Sequence, residues 1–506
     1  MANGTAPNGR APNGKVPNGL PNGHGNAVTY VDTLIIGAGI SGINAAYRIQ
    51  TEGPADMTYA ILEGRNTLGG TWDLFRYPGI RSDSDVYTFC FAWNPWKHKG
   101  TMASGEQLRE YMLQSAQSQG IDQHIMYNHR VVSANWRSDL GNWEYEVSVD
   151  GRDEPVTFRS RFALLGTGYY DYEKPLETVI PGLDNFEGKV IHPQFWPRDY
   201  DYANKDVVVI GSGATAITIV PAMAPSVRRV TMLQRSPSYL FPLPFHSLIT
   251  TILFSIFPLR TANYLNRLSW LVRSYLTTLF CRTWPSLAKR VFRHVTTRLL
   301  PPDIPYDPHF KPRYNPWDQR VCATVDGDFF AALRSGKADV VTDTIKTITA
   351  KSIELESGKS LHPDAIVTAT GLKLQFGGKI RFSIDGKDFK PADKYAWRSA
   401  MLQDVPNLLF LTGYEAASWT LGADVSAKIF VRVINRMRQV GAEKVVPRTE
   451  RQMPEKPMMS LSSTYLKTMK SELPKGGEGI WSPKSNYFAD MAGARWGSIV
   501  KDLEFS

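Results

Sequence analysis

Cysteine is scarce: Cys90, Cys281 and Cys322 are the only three in 506 residues, odd in number and far apart. That excludes a disulfide framework, offers no zinc-ligand spacing and leaves no closely spaced redox pair. A reducing, cytosolic setting is expected. No aromatic-and-basic nucleic-acid signature such as an RNP box occurs, so no nucleic acid is expected as a partner. Long apolar runs are missing too. The uncharged stretch Ser236 to Leu259 is cut by Pro242, Pro244 and Pro258 to 13 uninterrupted residues, whereas a spanning helix requires about 20. Residues 1–28 hold no signal-peptide core; they repeat Pro-Asn-Gly from Pro7, Pro12, Pro17 and Pro21, which predicts a disordered tail.

Against these absences stand an apolar content of 42%, a charged content of 21% and a net charge of +10. The length suits two or three domains with sizeable cores. A basic balance fits an anionic cofactor or an acidic membrane surface.

Two glycine-rich loops organise the chain. The apolar strand Val31 to Ile36 runs into Gly37-Ala38-Gly39-Ile40-Ser41-Gly42 and a helical run, the pattern of a dinucleotide loop. Gly37 permits the turn, Gly39 lets amides approach a pyrophosphate, and Gly42 lets helix and strand pack closely. Glu63, at the end of the next strand, is placed for ribose hydroxyls. To this point NAD and FAD are both open. The block Gly69-Gly70-Thr71-Trp72 and the stiff turn Tyr77-Pro78-Gly79 leading to Asp83 favour FAD, since a glycine pair lets backbone pass a large flat cofactor. Candidate cofactor residues are therefore Gly37, Gly39, Ser41, Gly42, Glu63, Gly70, Thr71, Trp72, Asp83 and Tyr87.

The second loop follows the fully apolar strand Val207 to Ile210 and reads Gly211-Ser212-Gly213-Ala214-Thr215-Ala216. Where the first site has an acid, this one has Gln234-Arg235-Ser236. Arg235 and the Ser236 hydroxyl suit a ribose phosphate, so NADPH is expected over NADH. An FAD reduced by NADPH must pass its electron pair on, and without a cysteine pair dioxygen is the natural sink.

Between the loops lies Phe186-x-Gly188-x-x-x-His192-x-x-x-Trp196-Pro197. This stretch resembles the fingerprint of type I Baeyer-Villiger flavin monooxygenases, which separates them from flavin monooxygenases that oxidise amines and sulfides. The Gly69 to Asp83 block, Tyr314 to Arg320, Ala369-Thr370-Gly371, Gly413 to Asp424 and Leu473 to Asp490 are similar to the same family, nearest its ethionamide-activating subgroup. The resemblance implies an enzyme that uses FAD, NADPH and dioxygen to turn ketones into esters or lactones through a C4a-peroxyflavin, and that also oxidises sulfides. It implies Arg320 as the active-site arginine, Asp83 as the carboxylate orienting it, Gly371 at the cofactor, and Phe186, Gly188, His192 and Trp196 as hinge residues rather than proton carriers. Gln319 departs from the lysine common before that arginine, so NADPH selection rests on Arg235 and Ser236. Two alternatives remain: a flavin monooxygenase of amines or sulfides, and a redox-responsive flavoprotein that binds a membrane surface without oxygenating anything.

The expected fold is α/β, with two Rossmann-like domains and the FAD domain discontinuous. Residues 29–170 form its first part, 171–368 the NADP domain with a helical insertion at 237–312, and 369–506 the second FAD part. Within the insertion, Leu265, Leu268, Val272, Tyr275, Leu276 and Leu279 mark one apolar helical face. This region either packs over the active site as a substrate entrance or also contacts an anionic membrane through residues 241–300.

Overall fold

The computed structural model describes residues 28–98, 100–459 and 472–506; the Pro-Asn-Gly tail lies outside the described residues. Strand Thr29–Ile36 lies between Tyr59–Leu62 and Val156–Leu165, parallel to both. Its Leu34 and Ile35 are fully buried, because helices and sheet cover both faces. The strands His129–Arg137, Asn142–Val149 and Val156–Leu165 form an antiparallel meander. Much later the chain rejoins this sheet: Arg381–Ile384 pairs with His129–Arg137, and Leu408–Phe410 with Val156–Leu165. The first sheet is thus discontinuous in sequence.

Helix Ile40–Glu52 packs against helix Trp419–Val440. Their contact encloses an ion pair: Arg48 Nε and Nη2 donate to Asp424 at 2.8 and 3.0 Å, and Asn44 donates to the same carboxylate at 2.9 Å. A paired and fully hydrogen-bonded charge is the form in which burial is tolerated.

The second sheet is all parallel, in the order Ala338–Thr342, Arg229–Gln234, Asp206–Ile210, Ala365–Thr368, Lys189–Ile191. Val207 to Ile210 are all buried, as a continuous apolar run predicts. Two crossings join the sheets, and each is wedged against a glycine loop. Gly37 has φ +106°, and a Cβ there would stand 2.6 Å from the Gly166 carbonyl oxygen; at Gly211, with φ +134°, it would stand 2.2 Å from that of Ala369. Only glycine permits both the backbone angle and the approach.

The insertion opens with a strand the sequence did not suggest, Leu240–Leu243, parallel to Cys322–Val325. Three helices follow: Leu248–Ile256, Leu259–Thr283 and Pro285–Leu299. None of the described helices is long and apolar enough to cross a membrane. The apolar face anticipated on the middle helix does not pack inward. Ala262, Asn266, Trp270 and Cys281 are its buried seam, whereas Leu268, Val272, Tyr275, Leu276 and Leu279 stay exposed. At about 100° per residue, the two rows lie on opposite sides of the helix.

Candidate active site

A cavity of roughly 580 Å³ opens where the two sheets meet, and residues from both glycine loops line it: Gly37, Gly39 and Ser41 from the first, Ala214 and Thr215 from the second. Both following helices begin at a glycine N-cap with no side-chain cap, so their first amides are left for a ligand. Glu63 is buried at the cavity and accepts from the amides of Ala38, 2.8 Å, and Arg65, 3.0 Å. Burial raises its carboxyl, and those two amides oppose the rise. Each oxygen keeps lone-pair capacity for a ribose hydroxyl.

Gly70, Thr71, Trp72 and Asp83 also line the cavity, as do Gly371 and His192. Arg320 enters from just before strand Cys322–Val325 and donates through Nη2 to Asp83 Oδ1 at 2.7 Å. Asp83 follows the Tyr77-Pro78-Gly79 turn, so the pair joins residues 237 apart in sequence. Each side chain is about 30% exposed, which leaves the guanidinium in reach of a ligand in the cavity. Beside it, Arg81 pairs with Asp328 and ties the turn to the second sheet's helix Asp328–Arg334.

His192 stands at the junction. Its Nδ1 accepts from the Gln194 amide at 3.2 Å, which puts the ring proton on Nε2. Nε2 is buried, and the Gly371 backbone beside the ring is the acceptor toward which its proton is directed. Burial lowers the ring's pKa, so it is neutral at neutral pH. Gln194 also donates to the Asp171 carbonyl at 2.7 Å, fastening this stretch to the crossing. Phe186 is buried with Val208, Ile210 and Ile366, Gly188 backs onto its ring, and Trp196 meets Tyr202 edge-on. These three anchor the stretch in the second core and do not reach the cavity.

Five residues of the second site lie apart from the cavity lining: Gly211 and Gly213 shape the turn, Ala216 is buried in the helix that follows, and Arg235 and Ser236 are exposed at the end of their strand. Ser212 Oγ donates to the Ser236 carbonyl at 2.8 Å, so loop and strand end are joined. Gly42 packs on the first loop's own turn. Tyr87 requires correction. It is buried beneath the insertion, stacked on Trp270 at 6.2 Å, and does not line the cavity, because the short helix Val86–Phe89 turns it toward helix Leu259–Thr283.

Sequence reasoning missed several lining residues. Tyr172 meets the Thr71 hydroxyl at 3.2 Å, and Trp419 stacks on Tyr169 and donates to Ser41 at 3.0 Å. Burial alone would raise Asp171, but Lys379 and the amides of Glu173 and Lys174 outweigh it and hold the carboxyl low. For Asp171 and Tyr172 the signal available was position, just past the end of strand Val156–Leu165; for Trp419 it was the Gly413 to Asp424 block.

Two dinucleotide loops opening on one cavity, with an arginine between them, suit a protein that holds two nucleotides. A family model described as flavin-binding monooxygenase-like matches residues 32–247. The chain is 41% identical over 473 residues to FAD-containing monooxygenase EthA of Mycobacterium tuberculosis, covering 93% of this chain and 96% of that one. It is 40% identical over 466 residues to the probable FAD-binding monooxygenase AlmA of Acinetobacter baylyi, covering 91% and 93%. Cyclohexanone monooxygenase from Rhodococcus sp. Phi1, bound to NADP+, superposes with a TM-score of 0.72 at 19% identity over 95% of this chain and 100% of that one. The chain belongs to the flavin-binding monooxygenase-like family, with the FAD-containing monooxygenase EthA among its relatives, and it shares its fold with cyclohexanone monooxygenase. It is a flavin-dependent monooxygenase with FAD as its cofactor.

Proposed function

We propose that this enzyme inserts one atom of dioxygen into ketones to give esters or lactones, and oxidises sulfides at the same site. The supporting observation is the Arg320–Asp83 pair on a cavity lined from both glycine loops. In this reading the discontinuous domain, 29–170 with 369–506, holds FAD through Gly37, Gly39, Glu63 and Gly70, and 171–368 holds NADPH through its own loop, Arg235 and Ser236. NADPH and FAD together supply the electron pair that activates dioxygen.

The chain's residues do the rest. Asp83 fixes the plane of the Arg320 guanidinium, and a fixed cation beside a developing oxyanion stabilises addition to a carbonyl. The balance is ketone, dioxygen, NADPH and a proton giving ester, water and NADP+. His192, neutral and with its proton on Nε2, offers a hydrogen bond rather than a proton. A cytosolic enzyme with peripheral contact at a membrane surface belongs to the same reading, supported by the exposed apolar face of the insertion.

The test is incubation with NADPH, a simple ketone or sulfide, and isotopically labelled dioxygen. One labelled atom is expected in the ester and one in water. Arg320→Ala should keep FAD and lose oxygenation about a hundredfold or more, the scale of removing one oxyanion donor. Hydrogen peroxide formed in step with NADPH, with no oxygenated product, would overturn the reading.

A further inference from the structure

Among the described residues, 16 of the 28 large hydrophobic side chains that remain exposed fall between Leu248 and Val291. They are concentrated on three successive helices, and such concentrations mark interaction sites where scattered residues do not. Helix Leu248–Ile256 carries no charge and buries only Thr250, whose hydroxyl is tied to Asn266 of the next helix at 2.8 Å. Its Leu248 is 81% exposed and its Ile256 66%. The next helix begins with exposed Leu259 and carries, on its other side, a second exposed row of Leu268, Val272 and Tyr275.

Charge selects the partner. Residues 207–302 contain 11 Lys and Arg and no Asp or Glu, so the rest of the chain carries 47 basic and 48 acidic side chains. The whole of the net positive charge therefore sits in this segment. Two copies joined through the patch would oppose two basic faces, which is repulsive. Nor can residues 1–27 cover it, because they have two basic residues, no acidic one and no apolar run.

We propose that the insertion docks in the plane of an anionic bilayer, with Leu248, Ile252, Ile256 and Leu259 entering the acyl boundary and Arg260, Arg282 and Arg290 meeting headgroup phosphates. A helix of 9 residues is too short to span and apolar enough to lie in the interface. Behind the patch is a second cavity of roughly 430 Å³, lined by Leu271, Tyr275, Leu279, Phe410 and Leu421. Tyr275 and Leu279 are exposed as well, so this cavity reaches the surface along the outward row of the insertion's middle helix. It adjoins the first cavity, with Tyr414 and Ala417 lining both. An apolar substrate then passes from lipid to the flavin site without crossing bulk water, a route that rests on the oxygenation reading; the docking itself does not.

The experiment uses FAD-loaded full-length enzyme. All three native cysteines are buried, so Leu248→Cys can be labelled alone with an environment-sensitive dye. With vesicles of phosphatidylcholine and phosphatidylglycerol, a blue shift and co-sedimentation are expected. Binding should fall by about tenfold or more on pure phosphatidylcholine, where the basic side chains meet no net charge. A similar loss is expected for Ile252→Asp with Ile256→Asp, which places charge where apolar area should be buried. NADPH-driven flavin reduction by that double variant should be unchanged in solution. Docking is overturned if the dye does not respond to anionic vesicles. It is equally overturned if the apolar face proves covered by a second copy or an acidic protein, seen as a complex that the double variant dissolves without any vesicle binding. A vesicle response with no oxygenated product sinks the oxygenation reading alone.

Discussion

Arg235→Ala should make the enzyme nearly indifferent to the ribose phosphate that separates NADPH from NADH. The guanidinium is exposed at the end of strand Arg229–Gln234 and has no ion-pair or hydrogen-bond partner among the described residues. Nothing in the protein therefore has to be broken for it to meet a phosphate, and removing it leaves no buried charge behind. Charge-assisted hydrogen bonds are worth about 1.5–3 kcal/mol each, and about 1.4 kcal/mol is tenfold, so KM for NADPH should rise about 10- to 150-fold. Exposure places the effect nearer the lower end, and salt should shrink it further, because an exposed pair is screened. NADH carries no such phosphate, and its KM should change by less than about twofold on the same reasoning. Initial rates of coenzyme oxidation at low and high ionic strength, on protein matched for bound FAD, measure all of this. An equal loss with both coenzymes would mean that Arg235 supports the fold of the loop. No loss with either would mean that the phosphate is held elsewhere.

Two further outcomes follow from buried charge. Lys484 donates to the Thr412 carbonyl and hydroxyl and to Ser426, and burial lowers its pKa to about 7. Between that value and the ordinary lysine range, the unfolded chain holds a proton the folded one has released, so this residue's contribution to stability rises with pH across the window and is poorest below it. The unfolding free energy of the wild type relative to Lys484→Met should therefore improve by on the order of 2–3 kcal/mol from pH 7 to pH 9 in urea titrations, and a pH-independent difference would remove the assignment. Arg48→Met strands Asp424 at the contact between helices Ile40–Glu52 and Trp419–Val440, and should cost about 3–5 kcal/mol in the same assay. A loss of under about 1 kcal/mol would place the pair among solvated ones.

What could be read in the sequence was local chemistry. Gly37 and Gly211 were legible because each loop forces an angle and an approach only glycine accepts, and Val207 to Ile210 because a strand buried on both faces leaves no alternation to misread. The Arg320–Asp83 pair was reached through family resemblance alone; no periodicity links residues 237 apart. Tyr87 went astray for the opposite reason. It lies four residues beyond Asp83, but the short helix Val86–Phe89 turns it away, and only the docked insertion shows toward what.

The insertion helix makes the limit physical. A period of 3.6 residues reports which side of a helix is apolar; which side is packed depends on the neighbour. On helix Leu259–Thr283 the packed side is the mixed row Ala262, Asn266 and Trp270, because Arg267 donates to the Tyr87 and Cys90 carbonyls and Asn266 meets Thr250, fixing the helix through polar contacts. The apolar row is consequently left facing outward, covered only in part, as where Tyr275 meets Phe488 edge-on at 5.8 Å. A row held outward by hydrogen bonds on the far side of its helix is positioned by the fold, and its stability has to be recovered from whatever covers it. That is why the exposed row of this helix, unlike the buried one, was legible as apolar in the sequence without its packing partner being legible with it.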